Sequence, residues 1–320
     1  MSALQDEVTA GGNSSLGLKR VTVLSRGLAL ILVGFAGIFW ASSGVAVQDF
    51  FLHSEKTAME LTNIRMCIAG AILIIISTRR KNFWLSLGTL NRNLRLWLEF
   101  VIYSLVGMML MQFTYFQAIS IGGAAATTVI CYACPAMVVL WESFYNKRLP
   151  KRGEVIAVIL AMSGVFLLVT GGNPTKLLVP LGCVLWSLLS GATFAFSAIF
   201  PKHLFAKKID PYFLTGVGIF IGGLSTFALI DDWNWLPFFA PDVLFDVSWI
   251  IIFGTVGAFL SFNAGLKFLT PEEASITATT EPAASVIMSW LIFGTAFGLA
   301  ESIGIILVLL AIVAPSIIKR

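Results

Sequence analysis

The chain has 320 residues, of which 58% are hydrophobic and only 12% are charged, with a formal net charge of +4. A soluble domain keeps about a quarter of its residues charged, so most of this surface must face lipid instead of water. The basic residues form small clusters beside apolar runs, without the stripe or motif of a nucleic-acid reader, and this excludes nucleic acid as a partner.

The first segment, residues 1–26, is polar and rich in Ser and Gly, and we expect it to be a disordered cytoplasmic tail. It does not resemble a signal peptide, because Lys19, Arg20 and Arg26 precede a full-length apolar run without a small-residue cleavage site. The membrane-embedded part is therefore expected to begin near residue 27.

Apolar runs of roughly 20 residues, the length that crosses a bilayer as a helix, recur along the rest of the chain. They predict an all-α polytopic membrane protein with ten transmembrane helices, surrounded by the lipid bilayer. The predicted spans lie near residues 27–47, 58–78, 97–117, 122–145, 153–170, 178–200, 212–230, 247–266, 272–293 and 298–318.

The loops between these spans predict the orientation of the chain. If the N-terminus is cytoplasmic, 18 of the 21 Lys and Arg residues lie on the inside, while only Lys56 and Lys176 lie outside and Arg65 lies within a span. Cytoplasmic loops of membrane proteins carry this excess of basic residues. Both termini are therefore expected in the cytoplasm.

An internal repeat relates the two parts of the chain. Residues 118–135 align without gaps to residues 265–282, at an offset of 147, and each segment meets a proline, Pro135 or Pro282, at the same place. Five spans in each part force the second to enter the membrane from the opposite side. The sequence thus predicts two inverted five-helix repeats, residues 27–170 and 178–318. Inverted repeats are typical of secondary transporters that work by alternating access.

Several segments resemble EamA-type members of the drug/metabolite transporter superfamily. They are FWASSG at 39–44, Arg65 before an Ala/Gly-rich run, the A-x-S-x-G-G-A-A-A-T segment that leads to Pro135, and TTEPAAS at 279–285. The resemblance covers residues 27–318 and implies a gradient-driven transporter of small metabolites, an exporter of amino acids, amines or related compounds in the bacterial inner membrane. The family's Gly-Glu pair is replaced here by Asn146-Lys147 and by Gly294-Thr295.

Glu281 is the most informative single residue, because it falls near the middle of the ninth predicted span. A charged carboxyl at the bilayer centre costs about 2.5–3.5 kcal/mol on insertion scales, so such residues are usually functional or paired. Helical spacing places Glu281 on one face with Thr277, Ser285 and Ser289. It is expected to bind a substrate amine or a coupling proton. The alternative is a protonated carboxyl that donates a structural hydrogen bond near Pro282.

Three further positions have two interpretations each. Pro135 and Pro282 are either paired hinges or static kinks, because proline removes one helical hydrogen bond. Arg65 is expected to snorkel to the surface, with Glu60 as a partner, and binding of substrate carboxylates is the alternative.

Other polar side chains are candidates for a shared cavity, which the resemblance places among spans one, three, four, six, eight and nine. Individually each could equally bond between helices. They are Trp40, Ser43, Gln112, Tyr115, Thr128, Tyr132, Ser197 and Asn263.

An enzyme is not predicted, because no catalytic constellation is present. His53 and His203 fall on opposite sides of the membrane, a phosphate-binding loop is absent, and Cys131 and Cys134 are interpreted as packing residues. We expect no metal and no cofactor. The expected partners are a small-molecule metabolite and a coupling proton, and the sequence leaves the oligomeric state open. The alternatives are a non-transporting accessory or sensor protein and, more distantly, a membrane-embedded enzyme that uses one carboxylate.

Overall fold

The computed structural model describes residues 6–134, 136, 137, 139, 141, 147, 149–231, 233–266, 268, 269 and 271–318. Side chains are described from Arg26 onward, except those of residues 202, 271, 272, 274, 275, 315 and 316. Within these residues the regular structure is entirely helical. The predicted hinge Pro135 lies outside the described residues.

The helices follow one another with short connections. In chain order they are α1 (Asp6–His53), α2 (Ala58–Thr78), α3 (Lys81–Asn91), α4 (Leu94–Ile102), a π-helix (Tyr103–Leu110), α5 (Met111–Gly122), α6 (Ala124–Cys131), α7 (Arg152–Thr170), α8 (Leu181–Ile199), α9 (Lys202–Ala206), α10 (Pro211–Thr226), two 3₁₀ turns (Phe227–Leu229 and Leu236–Phe239), α11 (Pro241–Ile251), a second π-helix (Ile252–Gly257), α12 (Ala258–Gly265), α13 (Pro271–Ala278), α14 (Thr280–Phe293) and α15 (Leu299–Ile317).

Eight of the described helical stretches are long and apolar enough to cross a membrane. They are Arg26–His53, Ala58–Thr78, Leu94–Gly122, Arg152–Thr170, Leu181–Ala206, Pro211–Leu229, Pro241–Gly265 and Ile276–Phe293. Leu299–Ala314 is a shorter apolar helix at the tenth predicted position. The fourth predicted span, 122–145, runs into residues outside the described part. The all-helical membrane fold is confirmed, whereas the count of ten stays a prediction.

Two segments differ from their sequence-based expectations. Helix α1 begins at Asp6, inside the segment expected to be a disordered tail, and residues 6–25 contain no proline to stop it. The basic connection after the second span was expected as a loop, but residues 81–91 form α3. Its buried residues, Phe83, Ser86 and Leu90, lie on one helical face, so α3 is amphipathic and packs that face against the bundle.

Departures from regular α-helix recur with the 147-residue spacing of the sequence repeat. The first π-helix ends at Leu110 and the second at Gly257. Helix α6 ends at Cys131 before a turn at Tyr132, and α13 ends at Ala278 before a turn at Thr279. Such interruptions often mark functional positions in membrane helices, because they free backbone groups for other partners.

Glycines allow the closest helix contacts in the bundle. A Cβ atom added to Gly164 of α7 would lie 2.6 Å from the carbonyl oxygen of Gly304 of α15. A Cβ on Gly70 of α2 would lie 2.7 Å from the backbone of Phe220 of α10. Small residues drive membrane helices together by allowing such backbone approach. The second predicted span therefore packs on the seventh, and the fifth on the tenth.

Candidate functional site

Glu281 lies in the first turn of α14, directly after the turn at Thr279 that separates α13 from α14. Its carboxyl is therefore near a helix N-terminus, where negative charge is favoured. On the same face, Ser285 and Ser289 are 0% and 1% exposed, whereas Leu291 is 67% exposed. The polar face of α14 points into the protein and its apolar face points outward, as the residue spacing predicts.

Tyr132 connects α6 to this turn. Its hydroxyl oxygen lies 2.7 Å from Glu281 Oε2 and 3.1 Å from the carbonyl oxygen of Ala278. Ala278 is four residues before position 282, whose N–H would donate to this carbonyl in a continuous helix, but Pro282 has no N–H. The tyrosine hydroxyl thus contacts both the buried carboxyl and the carbonyl that Pro282 leaves without its helical donor.

A chain of hydroxyl groups continues from α6 toward α5 and α14. Tyr115 Oη and Thr128 Oγ1 are 2.6 Å apart, and Ser285 Oγ donates to Thr128 Oγ1 over 3.3 Å. Thr128 Oγ1 itself donates to the Ala124 carbonyl over 2.7 Å. Of the predicted site residues, Tyr115, Thr128, Tyr132 and Glu281 therefore form one partly buried polar cluster that joins the two halves of the sequence.

The prediction that Arg65 snorkels to the surface is wrong. Arg65 is 4% exposed, its Nε donates to Thr255 Oγ1 over 2.6 Å, and its Nη2 donates to the Gly254 carbonyl over 3.3 Å. The expected partner Glu60 is instead hydrogen-bonded to Lys56 and Thr57. The π-helix that contains Gly254 and Thr255 displaces the regular helical ladder, and this leaves groups available for the guanidinium.

The electrostatic surroundings make Arg65 part of the Glu281 cluster. Its guanidinium carbon lies 4.8 Å from the centre of the Phe116 ring, a cation–π distance. The Phe116 ring in turn lies 6.3 Å from the ring of Tyr115, a member of the cluster. The hydrogen bonds of the guanidinium go to a hydroxyl and a carbonyl and not to a carboxylate, so its positive charge is not neutralised by a direct ion pair there.

The model of the EamA-like transporter family matches the chain twice, over residues 27–170 and over residues 181–316. The chain belongs to the EamA-like transporter family. The identification made from the sequence is therefore confirmed, and this protein is a multi-pass membrane transporter. The match to the family begins directly after residues 1–26 and covers every residue of the Glu281 cluster.

Relatives of this EamA-family transporter align over almost their whole length. The "Uncharacterized inner membrane transporter YicL" of Salmonella typhimurium is 28% identical over 304 residues, which are 92% of this chain and 96% of that protein. The "Uncharacterized transporter YwfM" of Bacillus subtilis is 24% identical over 293 residues, 91% of this chain and 94% of that protein. A solved crystal structure that covers 91% of this chain and 97% of its own has a TM-score of 0.63 at 16% identity, which supports the fold alone.

Other predicted site residues lie away from the carboxyl. Trp40 packs on Phe262 with ring centres 5.2 Å apart, and Asn263 Nδ2 donates to Thr215 Oγ1 over 3.3 Å. Ser197 Oγ donates to a backbone carbonyl of its own helix, and so does Thr277 Oγ1. These four side chains contribute to helix packing in this structure. Ser43 is buried against Gly254, the residue whose carbonyl binds Arg65.

Two buried polar atoms in the described part of the chain have no hydrogen-bond partner: Gln112 Nε2 and Ser289 Oγ. Gln112 is 5% exposed and Ser289 is 1% exposed. Leaving a buried donor unsatisfied costs about 1–3 kcal/mol, so such groups call for an explanation. In a transporter, a bound substrate is one hydrogen-bond partner that can satisfy these two atoms.

Sequence reasoning missed Phe116 and Thr255, both of which contact Arg65. The one available indication was a threonine inside the apolar run IIFGTVG, at 251–257. At the family's altered Gly-Glu positions, Gly294 ends α14 with a φ of 64°, a left-handed conformation that glycine adopts without strain. Asn146 lies outside the described residues.

Proposed function

We propose that this transporter exports small metabolites that carry an amino group, such as amino acids, amines or related compounds, by gradient-driven alternating access. The observation that carries the proposal is the partly buried cluster of the Glu281 carboxyl, which the rings of Tyr115 and Phe116 join to the Arg65 guanidinium. Tyr132 and Thr255 are the hydrogen-bond partners of Glu281 and Arg65. Its residues come from both halves of the chain. Placement in the bacterial inner membrane with both termini in the cytoplasm is part of the proposal.

Alternating access is supported by the repetition of helix interruptions. The π-helices and the breaks near Tyr132 and Thr279 follow the 147-residue repeat, so each half supplies one irregular span and one broken span. Equivalent predicted spans also pack on each other through Gly164 and Gly304, and through Gly70. This pairing is what two inverted units around a common axis would produce.

The substrate class follows from the charges in the cluster. Glu281 can bind an ammonium group through its carboxylate. Arg65 can donate hydrogen bonds to a carboxylate, because its own hydrogen bonds go to a hydroxyl and a carbonyl oxygen. An amphoteric molecule would place one group against each. The unpartnered Nε2 of Gln112 adds a donor in the same five-helix half as Arg65.

The test is flux in proteoliposomes that contain the purified transporter, with a panel of amino acids, monoamines and carboxylates without an amino group. We expect uptake or release of at least one amino compound, stimulated by a pH gradient. In Glu281→Gln, flux should fall by about tenfold or more and lose its dependence on the gradient.

A matched control is Glu99→Gln, because Glu99 is bonded to Arg95 and His203 and lies outside the Glu281 cluster. This variant should retain wild-type flux and its pH dependence. Absence of flux for every amino compound with the wild-type protein would overturn the proposed substrate class, and absence for the whole panel would favour an accessory or sensor role.

A further inference from the structure

The Tyr132 hydroxyl has one hydrogen but lies near two acceptor oxygens. It lies 2.7 Å from Glu281 Oε2 and 3.1 Å from the Ala278 carbonyl oxygen, both within hydrogen-bond distance. A tyrosine hydroxyl carries one hydrogen, although its oxygen can also accept. Both contacts can be full hydrogen bonds only if the second hydrogen comes from a protonated Glu281.

The two protonation states of Glu281 therefore predict different bonding. With Glu281 protonated, the carboxyl donates to Tyr132 and Tyr132 donates to the Ala278 carbonyl. With Glu281 ionised, the carboxylate is the stronger acceptor and takes the tyrosine hydrogen. The Ala278 carbonyl then loses its hydroxyl donor, and Pro282 has no N–H to replace it.

We propose that Tyr132 is a proton-controlled latch, which closes the break between α13 and α14 when Glu281 is protonated and opens it when Glu281 is ionised. The proposal rests on the transport function proposed above and gives Tyr132 a positioning role. The proton that Glu281 loses passes to water on the open side of the membrane. Tyr132 keeps its own proton and only turns its O–H bond.

The groups around Glu281 are consistent with a single titrating site. The titratable or charged groups that face it are Arg65 of α2, Tyr115 of α5, Cys131 of α6, and Tyr132 and Cys134, which follow α6. Helix α1 packs against the same turn through Gly34 and Gly37, which do not titrate. Arg65 stays positively charged at all physiological pH values, so it does not itself act as the switch.

Helices α13 and α14 are attached to α1 independently of the latch. Glu273 of α13 forms an ion pair with Arg26 of α1. Thr280 Oγ1 of α14 lies 3.3 Å from the Gly34 carbonyl oxygen of α1 and 2.9 Å from the Thr277 carbonyl oxygen, so it contacts α1 as well as its own chain segment. Opening the latch therefore allows α13 to change direction relative to α14 while each helix keeps its own contact with α1. Such a hinge would couple loss of the proton to a change in the path through the membrane.

The test is hydrogen exchange, read by mass spectrometry, of the full-length transporter in lipid nanodiscs. Exchange of the amides of residues 279, 280, 281 and 283 is compared at about pH 5 and about pH 8, after correction for the intrinsic pH dependence of amide exchange. In the wild type we expect about tenfold faster corrected exchange at the higher pH, because the open latch leaves this turn less protected.

Two variants distinguish the role of the Tyr132 hydroxyl, which donates the hydrogen bond, from the role of Glu281, whose protonation controls that bond. Tyr132→Phe should exchange fast at both pH values, since it lacks the hydroxyl. Glu281→Gln should exchange slowly at both, since a carboxamide always donates to Tyr132. Tyr103→Phe is the matched control, because Tyr103 is a buried tyrosine of the first π-helix and does not contact the turn; it should follow the wild type.

The latch is overturned if Tyr132→Phe keeps the wild-type exchange pattern, or if Glu281→Gln keeps the wild-type pH dependence. The measurement needs no substrate. A protein that shows the expected exchange pattern but moves no amino compound would support the latch and overturn the proposed function. A protein that moves an amino compound but lacks the expected exchange pattern would support the proposed function and overturn the latch.

Discussion

Arg65 Nε donates to Thr255 Oγ1 over 2.6 Å, although the two residues are 190 positions apart in the sequence. Arg65 belongs to the first half of the chain and Thr255 to the π-helix of the second half. The bond therefore fixes a buried cation at the contact between the halves. It also sets the guanidinium against the face of Phe116, where a lysine ammonium would not reproduce its planar contacts.

Thr255→Val should destabilise the folded transporter by about 1.5–3 kcal/mol, because it preserves side-chain shape but leaves a charged donor without its acceptor. The free energy of unfolding is measured for Thr255→Val, Arg65→Met and the double variant. We expect a coupling energy of about 1–2 kcal/mol in this cycle. Additive effects of the two substitutions would mean that the hydrogen bond contributes nothing to stability.

Gly164→Ala and Gly304→Ala should each lower the thermal midpoint of unfolding, because the new methyl group would overlap the facing backbone at 2.6 Å. Overpacking of this kind typically costs about 1–3 kcal/mol. Gly88→Ala is the matched control, since Gly88 is also helical, within α3, and has open space around its Cβ position. It should leave stability unchanged or raise it by up to about 1 kcal/mol through helix propensity. Equal effects at all three positions would show that close packing of α7 on α15 is not the cause.

The helices were predictable from the sequence because insertion into lipid is a local requirement: each span must be apolar and satisfy its own backbone. The second span, predicted at 58–78, is observed as Ala58–Thr78. The inward face of Ser285 followed from helical spacing in the same way. The partner of Arg65 could not be predicted, because it depends on which helices pack together and on a π-helix that no short pattern indicates. Helix α3 was not predicted because only three of its residues, Phe83, Ser86 and Leu90, are buried, and so short a buried face gives a weak sequence pattern.

The proposed orientation predicts which loops a membrane-impermeant maleimide reaches from outside intact cells. Asn173→Cys, in the turn after α7, should be labelled, and Lys207→Cys, directly after α9, should be labelled only after the membrane is permeabilised. The four native cysteines are buried and give a low background. The reverse pattern would invert the orientation, and labelling of both positions in intact cells would contradict a membrane crossing by α8, which lies between them.

Gln112→Leu should separate substrate binding from stability. Gln112 Nε2 is buried without a partner in this structure, so leucine removes an unsatisfied donor, and the free energy of unfolding should stay constant or rise by about 1 kcal/mol. If a substrate supplies the missing acceptor during transport, the same change should raise the KM for flux by about tenfold with little effect on the maximal rate.

The matched comparison is Asn263→Leu, at a buried amide that does have a partner, Thr215. This variant should lose about 1–3 kcal/mol of stability, since it leaves the threonine hydroxyl without its amide donor. A Gln112→Leu protein that is clearly less stable than the wild type would show that the amide is bonded in the resting protein. An unchanged KM together with unchanged stability would remove Gln112 from the substrate path, because a side chain that binds neither the protein nor its cargo has no role in recognition.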